Sequence, residues 1–310
     1  MKFKRPDIIR PPSEHDSYFL PLTNGCSNNT CTFCMSYGAR LQIRDLEEVK
    51  QEIDALALFM EHGIRLPNIP EIVYYVASEW DGKHIFLQDG DALVYPFAKL
   101  KEALKYIKDK LPTVTRVSSY ATAKDILRLT IDQLKELKEL NLTLLFVGLE
   151  SGDPDILRDI GKGATPDEMI EAARRTKEAG ITLSVTVILG LGGVSKSEQH
   201  AMATARVLSE MDPEYAAALT LTLVPGTPLH DKWQKGEFTL IDPFQSLQEL
   251  KMILENVNFS NCFFSSMHAS NYVPVRGRIP PDKDKMIRQI ERVLQAHDKN
   301  LLRPEYLRGL

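Results

Sequence analysis

Three of the four cysteines fall within nine positions, Cys26, Cys31 and Cys34, in the run Asn24-Gly-Cys-Ser-Asn-Asn-Thr-Cys-Thr-Phe-Cys34. In a reducing compartment such crowding reads as a metal site before it reads as disulfides. The spacing is Cys-x4-Cys-x2-Cys, and a short loop containing Gly and Asn can fold so that three thiolates reach three irons of a cubane iron–sulfur cluster. The fourth iron is then open to a ligand from outside the protein. Two other chemistries use part of the same set. A structural zinc site needs a fourth Cys or His, for which His15 is the candidate, and a ferredoxin-type centre needs a fourth cysteine, for which only Cys262 is present. Phe33, directly before the third cysteine, adds specificity to the cluster reading.

The elements that must carry this loop follow from patterning. The chain has 310 residues, 43% hydrophobic and 26% charged, which is the composition of an ordinary globular protein with a large core. Apolar, β-branched runs alternate with amphipathic segments, the pattern of a parallel sheet wrapped by helices. Strands are predicted at 17–23, 84–88, 114–119, 143–149, 181–189 and 216–224. Helices lie between them: one starts at a capping box of Asp45 and Glu48 and ends at Gly63, with Leu46, Val49, Ile53, Leu56 and Met60 at helical spacing. Leu100, Leu104, Ile107 and Leu111 mark another, and 131–140 a third. Thr165, Pro166 and Glu168 open a helix that Gly180 closes, and Ser195 with Glu198 repeats that start. Residues 64–83 hold a strand or short helix at 72–77 that the pattern does not place. After about 257 come a strand at 263–267 and an amphipathic helix at 282–297. The fold expected is α/β, a partial (β/α)6 TIM-like barrel over 1–230 with a C-terminal extension over 231–310 packing on it as one structural unit.

The formal net charge of −4 provides no basic footprint for a phosphate backbone, so nucleic acid is not the expected partner. No apolar run approaches the roughly 20 residues of a membrane span. Lys2, Lys4 and Arg5 are not followed by an apolar core of about 7–15 residues, so no secretory signal is read and a cytoplasmic location is expected.

With these residues in view the chain resembles the radical S-adenosylmethionine (SAM) superfamily, in the branch that includes the Elp3, MiaB and HemN groups, over roughly residues 17–230. The superfamily's usual spacing is Cys-x3-Cys-x2-Cys, one residue shorter than here. The resemblance implies that Cys26, Cys31 and Cys34 hold a [4Fe–4S] cluster and that backbone at Phe33 lies near the adenine of SAM. Gln88-Asp-Gly-Asp91 stands where the family receives the amino group of the methionyl part, through Asp89, Asp91 or carbonyls around Gly90, although the usual Gly-Gly-Glu is absent. Ser119 ends the third strand where relatives reach SAM. Glu150 matches a residue that contacts the ribose hydroxyls, and Lys162 a cation that pairs with the SAM carboxylate. Thr186 and Gly190 lie on the strand that presents backbone to the adenine, glycine allowing close approach. These segments fall at C-terminal strand ends, where barrel folds place their chemistry.

The implied reaction is reductive cleavage of SAM to methionine and a 5′-deoxyadenosyl radical that takes hydrogen from a small-molecule substrate. A low-potential donor such as flavodoxin or ferredoxin would supply the electron. His268 is the acid/base candidate, because its unperturbed pKa lies near neutrality; Asn271, Tyr272 and Arg276 are the substrate-contact candidates. Cys262 reads as a buried small residue. There is no second cysteine cluster of the kind used for sulfur insertion. The competing class is a non-catalytic iron–sulfur protein for electron transfer or sensing, in which Glu150 and Lys162 have no role.

Overall fold

Most of the expected strands and helices appear, with shifted ends, in the computed structural model, which describes residues 3–8 and 10–309. Met1, Lys2, Ile9 and Leu310 lie outside the described residues, so Lys2 of the signal-peptide argument has no structural account. The chain forms two compact units, one from the described parts of Met1–Asn29, Gly38–Phe146 and Arg175–Thr182, the other from Thr30–Tyr37, Val147–Arg174 and Leu183–Leu310.

In the first unit β1 (Tyr18–Pro21) is buried at every residue. The chain then enters β2 (Thr23–Asn24), which pairs antiparallel with β3 (Gln42–Ile43), Thr23 opposite Ile43 and Asn24 opposite Gln42. This clip holds the two ends of the cysteine segment, and neither strand was foreseen as a pair. In α1 (Leu46–His62) the Asp45 side chain caps the amide of Glu47 at 3.0 Å, and Gly63 closes the helix at φ 68°. The expected reciprocal box with Glu48 gives way to a simple N-cap, because Glu48 faces Arg44 at 3.8 Å. The unplaced stretch contains α2 (Glu71–Ser78), whose Val73, Tyr74, Val76 and Ala77 are buried at helical spacing. There follow β4 (His84–Gln88), α3 (Phe97–Lys110), β5 (Arg116–Ala121), α4 (Ala123–Arg128), α5 (Ile131–Glu139) and β6 (Leu142–Glu150). The sheet order in this unit is β1–β4–β5–β6, with β1–β4 and β4–β5 parallel. Phe86 on β4 packs edge-on against Phe19 at 6.5 Å, Tyr120 at 5.1 Å and Phe146 at 6.1 Å, so one aromatic set joins the strands.

In the second unit the end of β6 leads to α6 (Pro154–Asp159), α7 (Pro166–Glu178), β7 (Thr182–Leu189), α8 (Ser197–Met211), β8 (Tyr215–Thr220), α9 (Pro228–Gln234) and α10 (Pro243–Asn256), then β9 (Cys262–Ser265), β10 (Arg276–Ile279) and α11 (Lys283–Ala296). The order is β6–β7–β8–β9–β10, with β7–β8 and β8–β9 parallel and β10 antiparallel to β9. The Thr165–Glu168 box forms as read, Thr165 N to Glu168 Oε2 at 2.7 Å and Glu168 N to Thr165 Oγ1 at 3.3 Å. The Ser195 cap does not, because a 3-10 turn takes up Val194–Lys196 and α8 starts at Ser197 with no side-chain cap. α10 was not foreseen although Asp242 and Gln245 form a complete capping box around Pro243.

Candidate cofactor site

The loop is seated from both sides of its sequence. In the first unit a Cβ added to Gly90 would lie 3.1 Å from Cys26 Cβ, so only glycine lets the turn after β4 come this near to the cysteine. The amide of Gly25 donates to Asp89 Oδ2 at 3.0 Å, fixing the residue before Cys26 to the same turn. Burial raises the Asp89 carboxyl above its ordinary range, with amides of Gly25 and Gly90 opposing that and the charge of Asp7 adding to it. Gln88 is fully buried; its Nε2 donates to Asp7 O at 2.5 Å, and its Oε1 has no hydrogen-bond partner among the described residues.

Asp91, by contrast, does not open to solvent. It is 0% exposed and its Oδ1 accepts from Leu93 N at 3.1 Å. The Ser27 hydroxyl lies 2.6 Å from Asp91 Oδ2 and 2.8 Å from Asp125 Oδ2, and the Thr122 hydroxyl 3.2 and 2.9 Å from the same two oxygens. Each hydroxyl has one hydrogen and serves one carboxylate at a time. Burial, then the hydrogen bond and charge of Asp125, push the Asp91 carboxyl well above its ordinary range. For Asp125 burial acts upward but is outweighed by hydrogen bonds from Asp91, Ser27 and Thr122 and by Arg128, and its pKa falls. The two carboxyls are thus moved in opposite directions, Asp91 up and Asp125 down. Ser27, Thr122 and Asp125 were missed by sequence reasoning; the Thr122-x-x-Asp125 cap of α4 was the available signal. Ser119, fully buried on β5, donates to the carbonyl of Tyr120 at 2.7 Å.

In the second unit the Cys31–Cys34 segment is tied by Thr32 N to Ile160 O at 2.8 Å and by Leu229 N to Thr32 O at 3.0 Å. The Thr30 hydroxyl donates to Gly161 O at 2.8 Å. Phe33 packs against the apolar cluster of Ile156, Leu157, Ile160, Leu191, Leu221 and Leu229. The amide of Ser36 approaches Cys34 Sγ at 3.4 Å.

Glu150 ends β6 in the left-handed region at φ 63°, an uncommon conformation for a residue with a side chain. Its carboxylate meets Lys162 Nζ at 2.9 Å, the two side chains being 12% and 13% exposed. A Cβ on Gly148 would collide with the Glu150 carboxylate and sit 3.0 Å from Lys162 Nζ, so the glycine two residues earlier makes room for the pair. On β7 Thr186 stands opposite Ala217, and Gly190 follows the strand at φ 83° with its amide donating to Glu249 Oε1 at 2.8 Å.

The C-terminal candidates are placed as follows. His268 is half-buried, and burial together with the charge of Arg303 lowers its pKa from 6.5. The amide of Ser270 donates to its Nδ1 at 3.2 Å, leaving Nε2 to carry the proton of the neutral ring. Asn271 is 2% exposed and committed, its amide donating to Ala218 O and Ser266 O and its Oδ1 accepting from Thr220. The Tyr272 hydroxyl accepts from Arg308 at 2.5 Å, with the guanidinium over the ring at 4.0 Å. Arg276 is exposed on β10.

The chain matches the Radical SAM superfamily over residues 20–205, and belongs to that family. An uncharacterised methyltransferase of Pyrococcus horikoshii is 27% identical over 73% of this chain and 46% of its own length. The heme chaperone HemW of Bacillus subtilis is 24% identical over 62% of this chain and 53% of its own. The solved fold of coproporphyrinogen III oxidase, HemN, from Escherichia coli superposes with a TM-score of 0.53 at 14% identity, covering 77% of this chain and 51% of that one. The chain spans about half the length of the curated relatives it matches. These likenesses agree with the Elp3, MiaB and HemN branch and with an α/β, partial TIM-like fold. The chain thus carries the radical SAM domain, whose cofactors are a [4Fe–4S] cluster and SAM.

The residues present fit those cofactors. All four cysteines are thiols. Cys26 belongs to the first unit and Cys31 and Cys34 to the second, and among the described residues no three His, Cys, Asp or Glu side chains are gathered as a ready metal site. The donor set of the loop is nevertheless that of a three-thiolate cubane, and the lone acceptor of Gln88 suits an ammonium donor. Cys262 differs: it is 0% exposed, and burial with the charges of Asp212 and Glu214 pushes its thiol up to about 12, where it stays protonated. No described helix is long and apolar enough to cross a membrane.

Proposed function

We propose that this protein cleaves SAM reductively and uses the resulting radical to abstract hydrogen from a small molecule. When bound, the reduced cluster and SAM supply one-electron cleavage of the sulfonium to methionine and a 5′-deoxyadenosyl radical that takes the hydrogen. The observation that carries the reading is the Cys26-x4-Cys31-x2-Cys34 loop within the superfamily match. On this reading the three cysteines hold the cluster, and the turn Gln88–Asp91, with the buried acceptor of Gln88, receives the amino group. Lys162 neutralises the SAM carboxylate and Glu150 accepts the ribose hydroxyls; their mutual ion pair keeps both charges in place before SAM arrives. Phe33, Ser119, Thr186 and Gly190 shape the nucleoside site. His268, its pKa lowered and Nε2 carrying the proton, is the acid/base group. Arg276 contacts substrate, while Asn271 and Tyr272 act through the loop they hold. The catalytic core is 1–230, with 231–310 as its extension. The electron comes from a low-potential flavodoxin or ferredoxin in the cytoplasm, and nucleic acid is not a substrate.

The test is anaerobic reconstitution followed by dithionite and SAM. Iron and sulfide near four per chain, with slow formation of 5′-deoxyadenosine and methionine, is the expected result. Cys26→Ala, Cys31→Ala and Cys34→Ala should each lose the visible absorption of the cluster, whereas Cys262→Ala keeps it. An intact, reducible cluster that neither binds nor cleaves SAM would transfer the chain to the electron-transfer class. Stoichiometric zinc without sulfide would remove the reading altogether.

A further inference from the structure

Three polar side chains from separate elements of the second unit line up in full burial. Ser151 follows Glu150 directly, His200 lies in α8 and Glu249 in α10, exposed by 0%, 0% and 2%. Ser151 Oγ is 2.8 Å from His200 Nδ1, and His200 Nε2 is 3.1 Å from Glu249 Oε1 and 3.0 Å from Ile188 O. Both neighbours of Nε2 are acceptors, so Nε2 carries a proton. The order serine, imidazole, carboxylate is that of a nucleophile and its base, but burial denies any substrate access to the hydroxyl, which already accepts from Asp153 N at 3.0 Å.

What the relay touches assigns it another task. Glu249 Oε1 accepts from Gly190 N at 2.8 Å and Oε2 from the Ser197 hydroxyl at 2.7 Å. The carboxylate therefore collects three donors: the turn after β7, the first residue of α8, and the imidazole. Through the imidazole it reaches Ile188 on β7 and Ser151 at the end of β6. A buried carboxylate with three donors is rigid, because releasing any one of them leaves a polar group without a partner. A Cβ on Gly190 would meet Ile241 Cγ1 at 3.0 Å, so the turn is confined on its other side as well.

We propose that the Ser151–His200–Glu249 relay is a positioning clamp that sets the ends of β6 and β7 relative to each other, and thereby the affinity of the nucleoside site that Glu150 and Gly190 form. The proposal rests on the SAM-binding reading above. In Glu249→Gln the amide oxygen at the Oε1 position keeps Gly190 N and His200 Nε2, and its NH2 donates to the Ser197 hydroxyl, which turns to accept, so what the Gly190 bond loses is its charge assistance.

The experiment uses reconstituted holoprotein. In Glu249→Gln, hydrogen–deuterium exchange should quicken in peptides covering 186–193 while iron and sulfide content stays at the wild-type level. SAM affinity by titration should fall about fivefold, the effect of turning one charge-assisted hydrogen bond into a neutral one. The maximal rate of deoxyadenosine formation at saturating SAM should stay near that of wild type, which separates positioning from chemistry. Ser197→Ala, at a half-buried position, keeps the test available where Glu249→Gln does not fold, with an expected loss of about two- to threefold. Ile290→Val in α11 serves as the control, lowering Tm without touching SAM affinity. Faster exchange with unchanged affinity, or a control that weakens binding as much as the clamp variants, overturns the clamp. Wild-type protein that binds no SAM overturns the functional reading first, and the clamp with it, before any variant is compared.

Discussion

The turn after β4 and the end of β6 each carry a buried or nearly buried acid, and the two acids have opposite kinds of neighbour. Asp91 faces a second carboxylate, Asp125, with hydroxyls of Ser27 and Thr122 between them, and its pKa is pushed well above the ordinary range. Glu150 faces an ammonium at 2.9 Å with a glycine clearing the space. Residue type is nearly the same in both places. The neighbour differs, and at Asp91 the like charge of Asp125 adds to burial in disfavouring ionisation. The Cys26 side of the loop is propped by a hydrogen-bonded carboxyl and hydroxyl network, and the proposed ribose and carboxylate contacts are left to the charged pair.

Breaking the charged pair should have the largest effect. Lys162→Ala and Glu150→Ala are expected to weaken SAM binding by roughly ten- to a hundredfold, on the order of 1.5–3 kcal/mol, while cluster absorption persists. Titration of reconstituted protein measures both. Gly148→Ala tests the same pair without altering either charge. Its methyl must displace the carboxylate, and about a tenfold loss of SAM affinity with normal iron content is the expected outcome. Affinity unchanged in Gly148→Ala would mean that the Glu150 position observed is not the one that binds.

In the carboxyl network the sharper comparison is between two replacements of one residue. Asp91→Ala strands the buried hydroxyl and amide donors around it and should cost about 1–3 kcal/mol of unfolding stability. Asp91→Asn supplies an N–H where the protonated acid supplies an O–H, and should cost under about 1 kcal/mol. Equal losses in denaturant melts would show that Asp91 is ionised in the folded protein. The smallest effect expected is in pH dependence. The folded pKa of Asp91 lies above the ordinary 3.8, so the native protein retains a proton that the unfolded chain releases. Its contribution is complete below 3.8 and is lost as pH rises toward the folded pKa. Asp125, lowered, contributes in the other sense, above its ordinary value. Wild type should therefore lose stability relative to Asp91→Asn as pH is raised from about 4 toward neutrality. A difference that does not change with pH would remove the proton from Asp91.

Much of the scaffold was legible because its signals are local. The runs that became β4, β6 and β7 carry their own apolar, β-branched character, and α11 carries its own periodicity. The Thr165–Glu168 box is complete within four residues. Misreadings came where distant groups competed for a local signal. Ser195 and Glu198 had the spacing of a cap, but the helix begins at Ser197, whose hydroxyl goes to Glu249, 52 residues away. β2 and β3 are two residues each, too short for any period to show, and exist because the 17 residues between them, 25–41, return to the same place.

By itself the sequence determined which residues could make a three-thiolate cluster, since ligand number and spacing are covalent facts about Cys26, Cys31 and Cys34. It also determined that these and the acids near them stand at strand ends, because alternation and turn residues are read within a few positions. The tertiary structure alone decided that Asp91 is buried against Asp125, that Glu150 turns back over Gly148 toward Lys162, and that His200 and Glu249 lie between two strand ends. Protonation, burial and aim are set by the electric field and the free volume around a group, and those come from neighbours tens of residues away that no local pattern names.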